Sequence, residues 1–132
     1  MTTPLLALEK DLFFAVKMRD TLRHYDMDVK TVRTLAAFEQ GLVAPETEKP
    51  ALVIVNIATQ GVDWEAAIRA AQSAGYAVLA FGSHMDLAAR ARALRAGAQK
   101  VVANSKFVSD MPGLVMRMLH APLPGEATAD ED

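Results

Sequence analysis

Four short clusters carry the side chains with chemical potential. Glu9-Lys10-Asp11 sets two carboxylates around an ammonium, just after the apolar run Leu5-Leu6-Ala7-Leu8. Asn56 ends the run Ala51-Leu52-Val53-Ile54-Val55, and Gly82-Ser83-His84 follows Tyr76 to Phe81. Asn104, Ser105 and Lys106 follow Lys100 to Ala103. Carboxylates of this kind could hold a hard cation. A glycine, a hydroxyl and an imidazole in sequence could hold an anion. Each cluster also has a plainer reading. The acidic group serves equally as a salt-bridge cluster in which Asp11 caps the following helix. Gly82-Ser83-His84 is equally a turn into a helix, and Asn56 either ties loop backbones together or caps a strand end. His84 has no second histidine or acidic residue at metal-site spacing, and its adjacency to Ser83 makes no dyad. Neither a nucleophile elbow nor a phosphate-binding glycine loop is present. The sequence therefore predicts no catalytic residue, no metal, no cofactor and no enzyme.

The elements that must position these clusters alternate. After Leu5–Leu8, residues 12–25 repeat Phe14, Met18, Leu22 and Tyr25 at helical spacing, which predicts a helix burying those four and turning Phe13 outward. Residues 28–33 predict a modest strand, 35–42 a short helix and 43–50 a loop. The run ending at Asn56 is β-branched and apolar on both faces, as in a central strand covered on both sides. Residues 63–73 predict a helix capped by Asp63 and stopped near Gly75. Residues 76–81 predict another buried strand, 86–96 an Ala- and Arg-rich helix ended by Gly97, and 100–103 a last strand. Residues 110–120 predict a final helix with Pro112 in its first turn. Met111, Met116 and Met118 are expected to fill core gaps. Five strands alternating with five helices imply a three-layer α/β domain around a parallel sheet. Ligands of such folds bind beyond the carboxyl ends of the strands, where all four clusters fall.

Bulk properties agree. The chain has 132 residues, enough for one domain, and 52% hydrophobic residues, enough for a core. The domain is expected over 1–120, with 121–132 as a disordered acidic tail. The formal net charge of -2 offers no field for nucleic acid. Without cysteine there is no disulfide framework. No apolar run suits a bilayer and the N-terminus has no signal-peptide pattern, so a cytoplasmic protein is expected.

Several segments together resemble the receiver domains of response regulators, the CheY-like family. Pro50 to Asn56 with Gly61-Val62-Asp63 is similar to that family's third strand and loop. Ala96-Gly97-Ala98, a short strand and Lys106-Phe107 are similar to its fourth-helix end and fifth strand. The likeness covers about residues 4–120. It implies a flavodoxin-like (βα)5 doubly wound five-stranded sheet, order 2-1-3-4-5. It also implies a phosphorylation pocket: an acceptor aspartate, two acidic residues for Mg²⁺, a Thr or Ser, and a Lys. The matching positions here are Asn56, then Glu9 and Lys10 (with Asp11 next), Gly82 (with Ser83 next), and Asn104 (with Lys106 two residues on). An amide is no phosphoryl acceptor, and Lys10 opposes a cation. The resemblance therefore implies an atypical receiver, or pseudo-receiver, with Lys10 as a counter-ion to Glu9 or Asp11. With no output domain in the chain, it is expected to act in trans on a protein partner. Phe13 on the first helix is a candidate docking anchor. Arg90, Arg92 and Arg95 on the fourth helix belong to a face, completed by the fifth strand and fifth helix, through which receivers dimerise. A small-ligand or anion sensor built on Lys10, Ser83, His84 and Lys106 is the alternative.

Overall fold

A computed structural model describes residues 2–120. The expected tail lies outside the described residues. Strands β1 (Thr3–Leu8), β2 (Met27–Val32), β3 (Leu52–Asn56), β4 (Val78–Gly82) and β5 (Lys100–Ala103) alternate with helices. These are α1 (Leu12–Arg23), α2 (Leu35–Leu42), α3 (Trp64–Ser73), α4 (Leu87–Ala96), α5 (Asn104–Ser109) and α6 (Met111–Leu119). All neighbouring strands pair in parallel, in the order β2-β1-β3-β4-β5. This is the three-layer α/β architecture that the alternation implies.

Side chains explain where the elements start and stop. Asp11, Thr34, Asp63 and Asp86 each cap a helix, accepting from the backbone N–H three residues on. Helix α4 ends at Gly97, whose φ of 121° suits glycine. Side chains of β3 from Leu52 to Val55 are fully covered on both sides, as its composition requires. Alternate strand residues then feed two cores. Leu6, Leu8, Val53, Val55 and Ala80 meet α2, α3 and α4. Leu5, Ala7, Ile54, Leu79 and Phe81 meet α1, α5 and α6.

Four expectations need correction. The end of the chain holds two helices where one was expected, because α5 begins directly at Asn104 and breaks at Asp110 before Pro112. Tyr25 is 51% exposed, since α1 ends at Arg23 and the chain turns through Asp26 at φ 59°. Met116 is exposed, unlike the buried Met111. Tyr76 lies before β4 and donates to the Leu42 carbonyl at 2.7 Å, tethering the end of α2.

Candidate functional site: the carboxyl ends of the strands

Glu9 lies just past β1 and is 1% exposed. Asn56, the last residue of β3, donates through Nδ2 to both Glu9 oxygens, at 2.9 and 3.1 Å. The Asp11 N–H also donates to Glu9 Oε2, at 3.1 Å. Burial pushes the Glu9 carboxyl above its ordinary range, and these N–H donors pull it only part of the way back. Asn56 Oδ1 accepts from the Ala58 N–H at 2.8 Å. That bond fixes the amide: its oxygen belongs to the loop and its NH₂ to Glu9.

The neighbours follow the same loop. Lys10 is exposed and donates through Nζ to the Gln60 carbonyl at 3.1 Å, reaching across the β3–α3 loop. A Cβ at Gly61 would stand 3.2 Å from that Nζ, and Gly61 has φ 76°. Glycine thus suits both the turn and the crossing lysine. Asp11 caps α1 through the Phe14 N–H. Lys10 therefore clamps loop to loop and makes no ion pair with Glu9 or Asp11.

Gly82 ends β4 under Ile57. A Cβ there would come within 2.6 Å of Ile57 Cγ1, so the isoleucine occupies the space that a side chain at 82 would need. Ser83 Oγ accepts from the Met85 N–H and shapes the turn into α4. His84 is exposed. Ser83, His84, Leu87 and Arg90 help line a cavity of about 140 Å³ that includes neither Lys10 nor Lys106. Asn104 and Lys106 lie on α5, both exposed. Lys106 Nζ is 3.8 Å from Asp110 Oδ2. Arg117 approaches the same oxygen at 2.8 Å, and its hydrogen bond is the main reason the Asp110 carboxyl is held below its ordinary range. The strand ends thus gather Glu9, Lys10, Asp11 and Asn56, and leave Lys106 engaged elsewhere.

A divalent cation does not fit this donor set. Asn56 presents N–H groups where a ligand oxygen would be needed, Glu9 has both oxygens engaged, and a lysine ammonium bridges the adjacent loop. No three acidic or histidine residues converge as a metal group among the described residues.

The docking candidates divide. Phe13 is 82% exposed and Leu12 61%, with the partly exposed Val16 one turn on. Arg90 donates to the Val101 carbonyl at 2.9 Å. Arg92 pairs with Glu65 at 2.8 Å and lies 4.9 Å over the Trp64 ring, fastening α4 to α3. Arg95 is exposed at the end of α4. Ile57, Gln60 and a ring cluster escaped the sequence reading. Phe81 and Phe107 stack at 4.1 Å, and Phe14 meets both edge-on. The apolar Ile57 directly after Asn56 was the available signal for the first.

No family model matches the chain, and no curated protein does. Solved structures do. The receiver domain of NtrX from Brucella abortus superposes with a TM-score of 0.75 at 16% identity, covering 89% of this chain and 99% of that one. The chain has the receiver-domain fold. A response regulator from Thermotoga maritima gives 0.74 at 14% identity over 92% of this chain and 100% of its own. The phosphorylated cyanobacterial phytochrome response regulator RcpA gives 0.75 at 13%, over 95% and 100%. At such identities the likeness establishes the receiver fold, while the pocket has to be judged from its own residues. No helix among the described residues is long and apolar enough to cross a membrane.

Proposed function

We propose that this chain is a pseudo-receiver: a cytoplasmic, non-enzymatic regulatory module that acts by binding a protein partner, with phosphorylation no longer its switch. The observation that carries this reading is the double commitment of Asn56. Its NH₂ is bound to Glu9 and its oxygen to Ala58, so the acceptor position is an amide locked into the loop it would otherwise switch. Ile57 over Gly82 supports the same reading, because it removes room for a hydroxyl that would contact a phosphoryl group. Docking is assigned to α1, where Leu12, Phe13 and Val16 stand exposed together. The α4 arginines are weaker candidates, since Arg90 and Arg92 already have internal partners. The ligand-sensor reading gains nothing comparable: the cavity that Ser83 and His84 line includes neither Lys10, which bonds to the Gln60 carbonyl, nor Lys106, which faces Asp110.

Incubation with a small-molecule phosphodonor and Mg²⁺, followed by intact-mass measurement, is expected to leave the mass unchanged. A stoichiometric adduct would overturn the proposal. Once a partner is captured, Phe13→Ala should weaken its binding at least about tenfold while leaving stability within about 0.5 kcal/mol. Unchanged binding would remove α1 as the docking face.

A further inference from the structure

The two edges of the sheet are not alike. At β5, Arg90 covers the Val101 carbonyl. At β2 the edge is regular, and among the described residues no strand pairs with it on its outer side. Thr3 donates to the Asp26 carbonyl and Glu9 to the Val32 carbonyl, so the even-numbered residues from 26 to 32 direct their backbone groups toward β1. The N–H and C=O groups of Met27, Val29 and Thr31 must then point outward. Their side chains turn to the α1 side, where Met27 and Val29 are buried and Thr31 accepts from Arg19. Asp28 and Lys30 stand on the opposite side, exposed. No helix among the described residues covers them. They border an open groove of about 290 Å³ with Pro4, Leu6, Gly41 and Glu48. Neither has an ion-pair or hydrogen-bond partner among the described residues.

We propose that β2 pairs antiparallel with β2 of a second copy, about a two-fold axis at Val29. The backbone geometry suits this register. Val29 would exchange both hydrogen bonds with its own counterpart, and Met27 would pair with Thr31, using the outward groups of all three. Asp28 then falls opposite Lys30 of the other copy, and Lys30 opposite its Asp28. Both are non-hydrogen-bonded pairs, where side chains approach most closely. An edge guarded by lysines alone would repel its copy. This edge is instead self-complementary in charge. The second copy is the occupant because the charge order reads the same from either side of the axis.

The assembly would be one continuous sheet of ten strands, five from each copy. The axis runs perpendicular to the sheet, so both α1 helices lie on one side with their Phe13 ends pointing apart. This pairing stands independently of the function proposed above.

Sedimentation velocity over a concentration series tests it on the whole chain. Wild type is expected to shift from monomer to dimer. Asp28→Lys and Lys30→Asp should each weaken association by about tenfold or more, because each change turns both symmetric pairs repulsive. An equimolar mixture of the two variants should recover the dimer, and so should the double variant Asp28→Lys/Lys30→Asp. Both residues are exposed, and unchanged far-UV circular dichroism confirms that folding is intact. A wild type that stays monomeric throughout overturns the proposal, leaving the charges only to keep the edge solvated. So does a dimer indifferent to either reversal, or one that charge exchange fails to restore.

Discussion

Glu9 is the residue at which the local chemistry is most tightly constrained. It is a carboxylate with almost no contact with water, held by three N–H bonds from Asn56 and Asp11. Burial disfavours its charge more than those bonds favour it, so its pKa is raised in the folded state. An acid with a raised folded pKa holds its proton more tightly folded than unfolded. Its stabilising contribution is full below the unfolded pKa and is lost as pH rises through the folded one. Glu9→Gln cannot titrate. The melting temperature of wild type relative to Glu9→Gln should therefore fall as pH rises above the ordinary carboxylate range. Parallel curves would mean that Glu9 titrates as it does in the unfolded chain. Only the difference between the curves matters, because glutamine also changes the number of acceptors facing Asn56 and Asp11.

At the scale of elements, the ends of β3 and β4 are coupled by shape. Ile57 is buried over Gly82, and its N–H bonds to the Phe81 carbonyl. Gly82→Ser should therefore cost about 1–3 kcal/mol by overpacking. Combined with Ile57→Ala the cost should be less than the sum of the single changes, since the smaller residue opens the space that serine needs. Chemical denaturation of the four proteins measures this, and strict additivity would show that the two sites do not share that space. Legibility in the sequence follows the same physics. Central strands, helix caps and the glycine stop of α4 were readable because composition and spacing determine them locally. Their boundaries moved by up to two residues. Helix α5 was not readable: residues 104–109 are mostly polar, and its one buried residue, Phe107, takes its meaning from Phe81 across the core. At the site, Asn56 and Glu9 could be named but not joined, because their bond spans 47 positions. Lys10 and Lys106 have long side chains whose direction no local pattern sets. Packing sent one to Gln60 and the other to Asp110.

At the scale of the molecule, the described residues form two cores that share one sheet, with one helical layer packed on each side of the strands. The strands belong to both cores at once, since Leu5 and Leu6, or Leu79 and Ala80, are neighbours that face opposite ways. Damage on one side should therefore lower the stability of both. Phe107, fully buried against Phe81 and Phe14, lies in the α1, α5 and α6 layer. Trp64, the only tryptophan in the chain, lies in the opposite layer. Phe107→Ala should cost about 3–5 kcal/mol. If the sheet transmits that loss, Trp64 fluorescence and far-UV circular dichroism will report the same lowered denaturation midpoint, although no contact of the tryptophan has changed. A Trp64 transition that stays at the wild-type midpoint while part of the helical signal melts early would instead show α1, α5 and α6 unfolding as a separate unit. The sheet argues for the first outcome. Each core loses its floor when the strands part, and β3, buried on both faces, has no layer to stay with.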